Sequence, residues 1–533
     1  MPRLLQEWVT RHAGRRPEAT ALVDGGRRVS YGELDLLSTR LARALQDAGC
    51  RRGDRVALLT PKSADAIAAL LAIYKADAVY VPLDPASPAS RLGKILDACE
   101  SRVVLAAGSS AALVAEVLAQ EGRDVAVGWL EDVRPSGLPA AFDLADVAAL
   151  PATPLVAQNG PDDPAHILFT SGSTGAPKGV VITHANVIAF VRWAVRYFGL
   201  DASDRVSAHP PLHFDLSFLD IFGAHAAGGE LHLVPADLSV LPNKLAEFIR
   251  ASQLTQWFSV PSVLTYMARF DVVAPGDFPH LRRLLWCGEV LPTTTLIHWM
   301  KRLPHVAFTN LYGPTETTIA SSYHTVLACP ADPQAAVPIG TACGGEELLV
   351  LDAALQPVPQ GAIGDLYIGG TGLARGYWRD EERTAAAFLA HPARPGERIY
   401  RTGDLARVGD HGLVYFLGRN DTQIKSRGYR IELGEIEAAL HSLAGVDDCA
   451  VVALETGGFE GAAICAAYVA GEGAAVTPAL LRRELGRLVP AYMLPARWRA
   501  LDEFPRNANG KVDRRKLREM FAAETEAHAA RTA

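Results

Sequence analysis

Paired cysteines, a secretory leader and long apolar runs are all missing from this sequence. None of the seven cysteines stands in a C-x-x-C pair, which leaves no zinc ribbon and no thioredoxin-type motif. The first twenty residues lack the apolar core of a signal peptide, and no run of about 18 uncharged apolar residues predicts a membrane span. An odd, scattered set of cysteines fits a reducing compartment, so we expect a cytoplasmic protein with no membrane partner.

An excess of positive charge is missing as well. The sequence has 52 Lys and Arg against 59 Asp and Glu, a formal net charge of −7. This balance argues against nucleic acid as a partner, although local groups can still bind a nucleotide. With 49% hydrophobic and 21% charged residues, the 533-residue chain has globular composition. Its length predicts about three or four lobes.

The early part of the chain predicts an α/β fold. A helix is predicted over residues 29–49, capped by Ser30 with Glu33 three residues later. Short apolar strands follow at 55–60 and 80–84. Because strands and helices alternate, we expect a parallel sheet covered by helices.

The later part of the chain differs in composition from the early part. Residues 130–164 are rich in Pro, Ala and Asp and are predicted to form a crossing loop. From residue 350, short strands separated by Gly, Pro and Asp predict a β-rich lobe. A charged, glycine-containing stretch around 418–434 marks a domain boundary, and the last hundred residues predict a small α+β lobe.

The strongest local motif is HILFTSGSTGAPKGV at 166–180. Its glycines let backbone N–H groups approach an anion, its hydroxyls donate further hydrogen bonds, and Lys178 adds a positive charge. The spacing differs from that of the usual P-loop. A Ser/Gly surface loop is the alternative, but the apolar strand before it and the lysine after it favour a phosphate-binding loop.

Three further motifs are ambiguous when taken singly. In NLYGPTETT, Tyr312 offers a flat face for a base and Glu316 an oxygen ligand for magnesium. In YRTGDL, a Gly-Asp pair at a strand end can take the hydroxyls of a ribose. In NANGKVDR, the Asn-Gly turn places Lys511 at a loop tip. Each motif also has a purely structural interpretation as a turn or a solvated loop.

Taken together, the motifs form one ordered pattern. The chain resembles the adenylate-forming superfamily and, within it, the stand-alone amino acid adenylation enzymes of nonribosomal peptide synthesis. The resemblance runs from about residue 28 to 516. It rests on ten strings in order, namely SYGEL, YKADAVYVPLDP, FTSGSTGAPKG, FDLS, NLYGPTE, GDLYIGGTGLARGYW, YRTGDL, GRNDTQIKSRGYRIELGEIE, LVPAYMLP and NGKVDR.

The resemblance implies a fold and a domain division. The implied α/β fold has a large N-terminal domain, with two layered α/β subdomains and a β-rich subdomain, and a small mobile α+β C-terminal domain. Residues 1–418 would form the core that binds ATP and the amino acid, and residues 419–533 the lid that carries the catalytic lysine. Asp421 stands at the family's hinge position, about which the lid would rotate between half-reactions.

The resemblance also implies an AMP-forming ligase of secondary metabolism. A carboxylate attacks the α-phosphate of ATP with Mg2+, pyrophosphate leaves, and the acyl group then passes to a thiol. Catalytic roles fall to Lys511 at the substrate carboxylate, Thr315 at the α-phosphate and Glu316 on magnesium. ATP binding is assigned to twelve positions: Thr170, Ser171, Gly172, Thr174, Lys178, Gly288, Glu289, Val290, Tyr312, Asp404, Phe416 and Arg419.

The string HFDLS bears on the class of acid. In amino-acid-activating members the Asp at the position of Asp215 pairs with the substrate ammonium, and aryl- and fatty-acid ligases usually lack a carboxylate there. A buried ammonium without a partner is costly, as is a buried carboxylate facing a neutral acid. The alternative is that Asp215 caps the helix that follows. The rival function is an acyl- or aryl-CoA ligase that uses free coenzyme A.

The remaining positions of the implied amino acid pocket are all uncharged: Leu216, Leu219, Phe258, Leu285, Cys287, Leu311, Ile319 and Ala320. A charged substrate side chain would therefore be left unpaired and rejected. We expect an apolar amino acid, with proline first, then aliphatic α-amino acids, then apolar β-amino acids. Phe258 lies against a substrate ring or forms part of the pocket wall.

The partner implied is a carrier protein with a phosphopantetheine arm. The motifs fill almost the whole sequence, so we expect a stand-alone enzyme that meets its carrier in trans. Carrier proteins are commonly acidic, and Arg482, Arg483 and Arg487 are candidates for a basic docking patch. A solvated helix face explains these arginines equally well. A non-catalytic nucleotide-binding protein is a further alternative, against which the presence of Lys511, Glu316 and Asp404 argues.

Overall fold

A computed structural model describes residues 2–120, 125–172, 176–455, 462–471, 476–506 and 512–532. The chain forms two compact units, each treated by itself below. The first contains Met1–Pro85, Leu96–Phe169 and Gly179–Asn420, and the second contains Ala86–Ile95, Thr170–Lys178 and Asp421–Ala533. The domain boundary expected at 418/419 stays a prediction.

The α-helices of the described residues are numbered in chain order: α1 Glu7–Arg15, α2 Tyr31–Asp47, α3 Ala64–Lys75, α4 Ala89–Cys99, α5 Ala111–Ala119, α6 Leu144–Ala149, α7 His184–Phe198, α8 Leu216–Ala227, α9 Pro242–Ala251, α10 Pro261–Arg269, α11 Thr293–Arg302, α12 Glu381–Ala387, α13 Leu433–His441, α14 Pro478–Leu485 and α15 Arg514–Thr532. Among these helices, none combines the length and the apolar character that crossing a membrane requires.

The strands are numbered in the same way: β1 Thr20–Asp24, β2 Arg27–Ser30, β3 Arg55–Leu59, β4 Val79–Pro82, β5 Val103–Ala106, β6 Ala126–Trp129, β7 Pro164–Thr170, β8 Lys178–Thr183, β9 Arg205–Ala208, β10 Glu230–Leu233, β11 Gln256–Ser259, β12 Arg283–Cys287, β13 Ala307–Tyr312, β14 Ser322–Val326, β15 Thr341–Ala342, β16 Glu346–Leu351, β17 Ile363–Gly370, β18 Gly376–Tyr377, β19 Phe388–Ala390, β20 Arg398–Val408, β21 Val414–Arg419, β22 Gln423–Ser426, β23 Tyr429–Glu432, β24 Val446–Glu455, β25 Ala462–Ala470 and β26 Arg497–Ala500.

The helix predicted over 29–49 is confirmed, and its start follows from local chemistry. The Ser30 hydroxyl accepts a hydrogen bond from the Glu33 backbone N–H at 3.2 Å, and the Glu33 carboxylate accepts one from the Ser30 N–H at 2.7 Å. This reciprocal pair satisfies two backbone donors that the first turn leaves without helical partners.

The crossing loop predicted over 130–164 is only partly correct. The segment contains the short helix α6, which Asp143 and Asp146 begin with a capping box of the same kind. The composition of the stretch concealed this helix. The helix is only six residues long, and Val147 is its one buried side chain among those described.

Two mixed sheets form the body of the first unit. One has the strand order β18-β8-β7-β4-β3-β5-β6, and the other β15-β14-β13-β12-β11-β9-β10-β1-β2. The pairs β3–β4, β3–β5, β11–β12 and β12–β13 are parallel, as expected for strands joined by helices. One continuous apolar cluster includes residues from both sheets, such as Val56 and Val206. The predicted α/β class is confirmed.

The β-rich region predicted from residue 350 is also present. A five-stranded antiparallel sheet runs in the order β16-β17-β20-β19, with β21 paired to β20. In the second unit, β22 pairs with β23, and β24, β25 and β26 form a three-stranded sheet. Helices α13 and α14 contribute Ile436, Leu440 and Leu485 to the apolar cluster of that unit.

Candidate active site

Four residues predicted to bind ATP lie together in the first unit. Tyr312 ends β13, Asp404 lies in β20, and Phe416 and Arg419 lie in the paired strand β21, where Arg419 stands opposite Asp404. Tyr312 Oη donates a hydrogen bond to Asp404 Oδ2, and Arg419 Nη1 pairs with Asp404 Oδ1. The ring centroids of Tyr312 and Phe416 are 6.4 Å apart. The structure therefore groups the residues assigned to adenine and to ribose.

The electrostatics of this cluster depend on burial. Tyr312 is 8% exposed and Asp404 is 5% exposed. Burial, and then the negative charge of Asp404, raise the pKa of Tyr312 well above its usual value. The phenol therefore keeps its proton and acts as a hydrogen-bond donor to the carboxylate, which fixes both side chains in place.

Glu316 lies in a short 3-10 turn, Thr315–Thr317, and is fully buried. Its Oε1 atom accepts a hydrogen bond from Tyr377 Oη at 2.8 Å. Reasoning from sequence assigned no role to Tyr377, although the string GDLYIGGTGLARGYW contains it. A buried carboxylate oriented by a phenol suits magnesium, which takes one or two carboxylates and completes its shell with phosphate oxygens and water. Glu316 thus fits the metal that the resemblance implies.

The turn around Glu316 has an unusual backbone. Thr318 and Ile319 both have positive φ angles, 61° and 69°. Two β-branched residues in the left-handed region are rarely found together and persist only where the surrounding structure holds them. Gly313 lets the turn close, because a Cβ there would lie 2.7 Å from the Cα of Ala320. Ile319, predicted to line the substrate pocket, is held by this conformation.

Asp215 directly precedes α8, but its carboxylate makes no capping hydrogen bond to that helix. Its own backbone is already helical, with φ −59° and ψ −29°, whereas a capping residue normally has extended backbone. The geometry therefore gives no support to the interpretation that Asp215 is only a helix cap.

The eight apolar positions assigned to the amino acid pocket belong to a single buried cluster. None is more than 4% exposed. Phe258, Cys287 and Leu311 come from the carboxyl ends of the neighbouring strands β11, β12 and β13. Ligands of open parallel sheets bind at that edge. All eight positions are thus buried in the core of the first unit, although their contact with a substrate stays a prediction.

The Gly288-Glu289-Val290 segment follows β12 directly. Gly288 has a positive φ angle of 101°, which glycine adopts at little energetic cost because it has no Cβ atom. The Glu289 carboxylate accepts a hydrogen bond from the Ser262 backbone N–H at 3.2 Å, at the start of α10. Val290 is 68% exposed. The side chain of Glu289 is thus used in the fold, which leaves the backbone as the part suited to an adenine edge.

In the second unit, the predicted phosphate-binding loop is buried at Ser171 and exposed at Ala176. Ser171 Oγ donates a hydrogen bond to the Arg430 carbonyl at 2.7 Å, and the buried Thr170 hydroxyl has no hydrogen-bond partner among the described residues. Gly172 is buried and Lys178 begins β8. Thr174 and Lys511 lie outside the described residues. Asp421 is the first residue of the unit's largest segment and accepts the Gln423 N–H at 3.0 Å.

The three arginines proposed for carrier docking lie on or just after α14. Arg483 and Arg487 are both paired with Glu484, at 2.9 and 2.6 Å. Arg482 donates to the Pro495 carbonyl at 3.3 Å. Exposed pairs of this kind contribute little energy and break easily, so the cluster is less basic than its sequence suggests.

Two family models match the chain. Residues 9–378 match the family model described as AMP-binding enzyme, and residues 435–511 match the AMP-binding enzyme C-terminal domain. The chain is 36% identical over 512 residues to the L-proline--[L-prolyl-carrier protein] ligase of Pseudomonas fluorescens, covering 96% of this chain and 98% of that protein.

Other relatives are far longer. The chain is 35% identical over 515 residues to tyrocidine synthase 3 of Brevibacillus parabrevis, which covers 96% of this chain but only 8% of that protein. Among solved structures, the Vibrio cholerae adenylation domain AlmE, in complex with glycyl-adenosine-5'-phosphate, matches with a TM-score of 0.85 at 27% identity. The match covers 98% of both chains.

Proposed function

Because this chain belongs to the AMP-binding enzyme family, we propose that it activates an apolar amino acid with ATP and loads it onto a carrier protein. Proline is the first candidate substrate. The likeness to a prolyl-carrier protein ligase over nearly the full length of both proteins supports this choice. The observation that carries the proposal is Asp215, a carboxylate that does not cap α8 and that directly precedes Leu216, the first of the eight buried, uncharged positions assigned to the pocket.

In the first half-reaction, a carboxylate oxygen of the amino acid attacks the α-phosphorus of ATP. The bond to the β-phosphate breaks, pyrophosphate leaves, and an aminoacyl-adenylate remains. Asp215 binds the substrate ammonium, which aims the carboxylate at the phosphorus, and Lys511 and Thr315 donate to the oxygens that gain charge. Positioning and charge neutralisation of this kind account for most of the rate enhancement in such reactions.

The proposal assigns the base and the ribose to residues of the first unit, and the pyrophosphate to the Ser/Thr/Gly loop. Tyr312 stacks on the base, and Asp404, oriented by Tyr312 and Arg419, accepts the ribose hydroxyls. Thr170, Ser171, Thr174 and Lys178 hold the departing pyrophosphate. Magnesium, held by Glu316, would neutralise phosphate charge when bound.

In the second half-reaction, the sulfur of a phosphopantetheine thiol attacks the carbonyl carbon of the adenylate. The thiol proton is released, the bond to the phosphate oxygen breaks, and AMP leaves. We place the hinge of the step at Asp421 and the carrier contact at Arg482, Arg483 and Arg487. Once a carrier approaches, its acidic groups can replace Glu484 as the partner of two of these arginines.

Amino-acid-dependent exchange of labelled pyrophosphate into ATP tests the proposal. The panel contains proline, aliphatic α-amino acids, apolar β-amino acids and the amine-free analogue of each, such as cyclopentanecarboxylate for proline. We expect exchange with one apolar amino acid that is lost with its amine-free analogue. Lys511→Ala is the control for catalysis and should lower exchange by about 10²–10³.

Two results would contradict the proposal. Exchange confined to amine-free acids, with transfer to free coenzyme A, would establish the acyl- or aryl-CoA ligase instead. Undiminished exchange in Lys511→Ala would remove the catalytic assignment of the lysine.

A further inference from the structure

A lysine with no assigned role lies beside the segment that carries Asp215. Lys62 stands between β3 and α3, and its Nζ donates hydrogen bonds to three consecutive carbonyls at the end of β9. The acceptors are the oxygens of Ala208, of His209 at 2.9 Å and of Pro210 at 3.2 Å. One ammonium group, with three N–H donors, thus fixes three successive peptide groups.

Lys62 is itself firmly placed. It is followed by Ser63, whose hydroxyl accepts the Ala66 N–H at 3.1 Å and caps α3. The Asp24 carboxylate accepts the Ala64 N–H at 2.9 Å, which ties the start of the same helix to the end of β1. The ammonium therefore projects from an anchored helix start, and the three carbonyls take their position from it.

The fixed carbonyls connect to Asp215 through a short chain of local hydrogen bonds. The Phe214 N–H donates to the Pro211 carbonyl at 3.0 Å, which makes 211–214 a turn. The Phe214 carbonyl in turn accepts the Ser217 hydroxyl at 2.7 Å. Asp215 lies between these bonds, so the placement of its backbone depends on the segment that Lys62 holds.

A buried carboxylate on α8 interacts electrostatically with Lys62. Burial lowers the pKa of Lys62 to about 7, against the negative charges of Asp220 and Asp24, which raise it. Asp220 is fully buried, and no described side chain donates a hydrogen bond to either of its oxygens. Burial raises the pKa of Asp220 well above its usual value, while the positive charge of Lys62 lowers it. A cation near this carboxylate offsets part of the cost of burying it.

We propose that Lys62 is a positioning residue for amino acid binding, which holds the 208–215 segment so that Asp215 meets the substrate ammonium. This role rests on the proposed function, because it acts through Asp215. Lys62 touches neither substrate nor nucleotide in this account. Its loss therefore weakens binding of the amine and leaves the nucleotide site unchanged.

The test compares Lys62→Met with Lys75→Met, a matched control on the other end of α3. Lys75 also makes three hydrogen bonds, at 2.7 to 2.9 Å, but to Asp35 and Thr39, away from Asp215. In pyrophosphate exchange we expect Lys62→Met to raise the KM for the amino acid about 10- to 100-fold. The KM for ATP and the kcat should stay within about threefold, and Lys75→Met should leave all three parameters unchanged.

A second readout separates positioning from a general loosening of the pocket. The amine-free analogue does not use Asp215, so its inhibition constant should be equal in the wild type and in Lys62→Met. In an Asp215→Ala background, Lys62→Met should cause no further rise in the KM, since a residue that acts only through Asp215 has nothing left to position. If Lys62→Met is insoluble, Lys62→Gln, which keeps two N–H donors, serves in its place.

Pyrophosphate exchange by the wild type distinguishes a failure of the Lys62 role from a failure of the proposed function. Wild-type exchange that depends on the amine, with an unchanged amino acid KM in the Lys62 variant, overturns the role of Lys62 alone. An equal rise in KM in Lys75→Met, or equally weakened binding of the amine-free analogue, also overturns it. Wild-type exchange only with amine-free acids overturns the proposed function and this role together.

Discussion

Tyr312 and Asp404 share a buried hydrogen bond, although 92 residues separate them in the sequence. The phenol donates to one oxygen of the carboxylate while Arg419 holds the other. A carboxylate held on both sides presents a fixed edge, which is what a pair of ribose hydroxyls requires. The proposed adenine and ribose contacts are therefore parts of one structural group.

This relationship predicts the effect of Tyr312→Phe. The ring that is proposed to face the base is kept, but the hydrogen bond to Asp404 is lost. A hydrogen bond to a charged group contributes about 1.5–3 kcal/mol, so the KM for ATP should rise about 10- to 100-fold. The KM for the amino acid should not change. The measurement is pyrophosphate exchange at varied ATP.

The control for that variant is Tyr31→Phe. Tyr31 is also buried, and its hydroxyl donates to the Gly229 carbonyl at 2.8 Å, but no nucleotide role falls to either residue. Tyr31→Phe should lower the unfolding temperature without altering the KM for ATP. Equal ATP parameters in the two variants would show that the Tyr312–Asp404 bond serves only the fold.

Asp215→Ala should separate activity from stability. Because the Asp215 carboxylate does not cap α8, its loss should leave the unfolding temperature within about 2 °C of the wild type. The loss of the ammonium partner should lower kcat/KM for the amino acid by about 10²–10³, which corresponds to about 3–4 kcal/mol.

Asp143→Ala gives the opposite pattern. Asp143 does cap a helix, α6, where it accepts the Asp146 N–H at 2.9 Å. Its loss should cost about 1 kcal/mol of unfolding free energy and leave kcat/KM unchanged. A drop in stability for Asp215→Ala as large as that for Asp143→Ala would support the capping interpretation after all.

Tyr377→Phe should change the response to magnesium. Tyr377 orients the Glu316 carboxylate through its hydroxyl at 2.8 Å. Groups that orient a metal ligand typically account for about 10- to 100-fold in metal affinity. We expect the magnesium concentration for half-maximal exchange to rise by about 10-fold or more, with Tyr31→Phe again unchanged. An identical magnesium curve for the Tyr377 variant would argue against Glu316 as a ligand.

The raised pKa of Glu346 predicts how the free energy of unfolding depends on pH. Burial raises the pKa of this carboxyl from 4.5 to about 7, against the hydrogen bonds from Gly372 and Thr371, which lower it. The folded protein therefore binds the proton more tightly than the unfolded chain, and the free energy of unfolding should fall as the pH rises from about 4.5 to 7. Glu346→Gln should remove this fall and so raise the free energy of unfolding by up to about 3 kcal/mol at pH 8.

The neighbouring residue offers a control of opposite sign. Burial raises the pKa of Glu347, but the hydrogen bonds from Arg394 and His391 outweigh it and lower the pKa below the usual value. Glu347→Gln should therefore destabilise the protein at pH 8 and have less effect at acid pH. Urea unfolding of both variants at pH 5 and pH 8 measures the difference. Parallel pH profiles for wild type and Glu346→Gln would contradict the Glu346 prediction.

Some features of the structure were predictable from the sequence and others were not, and particular residues show why. The helix over 29–49 was predictable because Ser30 and Glu33 satisfy each other within one turn. Helix α6 was not, because a short helix with one buried side chain leaves little apolar pattern to find. Tyr377 was overlooked because nothing near it in the sequence indicates its partner, Glu316, which is 61 residues away.

The sequence by itself determined the family of this protein, its α/β class and the apolar character of the proposed pocket. Those properties depend on residue types in a fixed order, and the chain carries them before it folds. The tertiary structure alone decided how the polar groups are paired: Tyr312 with Asp404, Tyr377 with Glu316, and Lys62 with the carbonyls at the end of β9. Burial removes water from these groups, so each must find a partner among residues that only folding brings within reach.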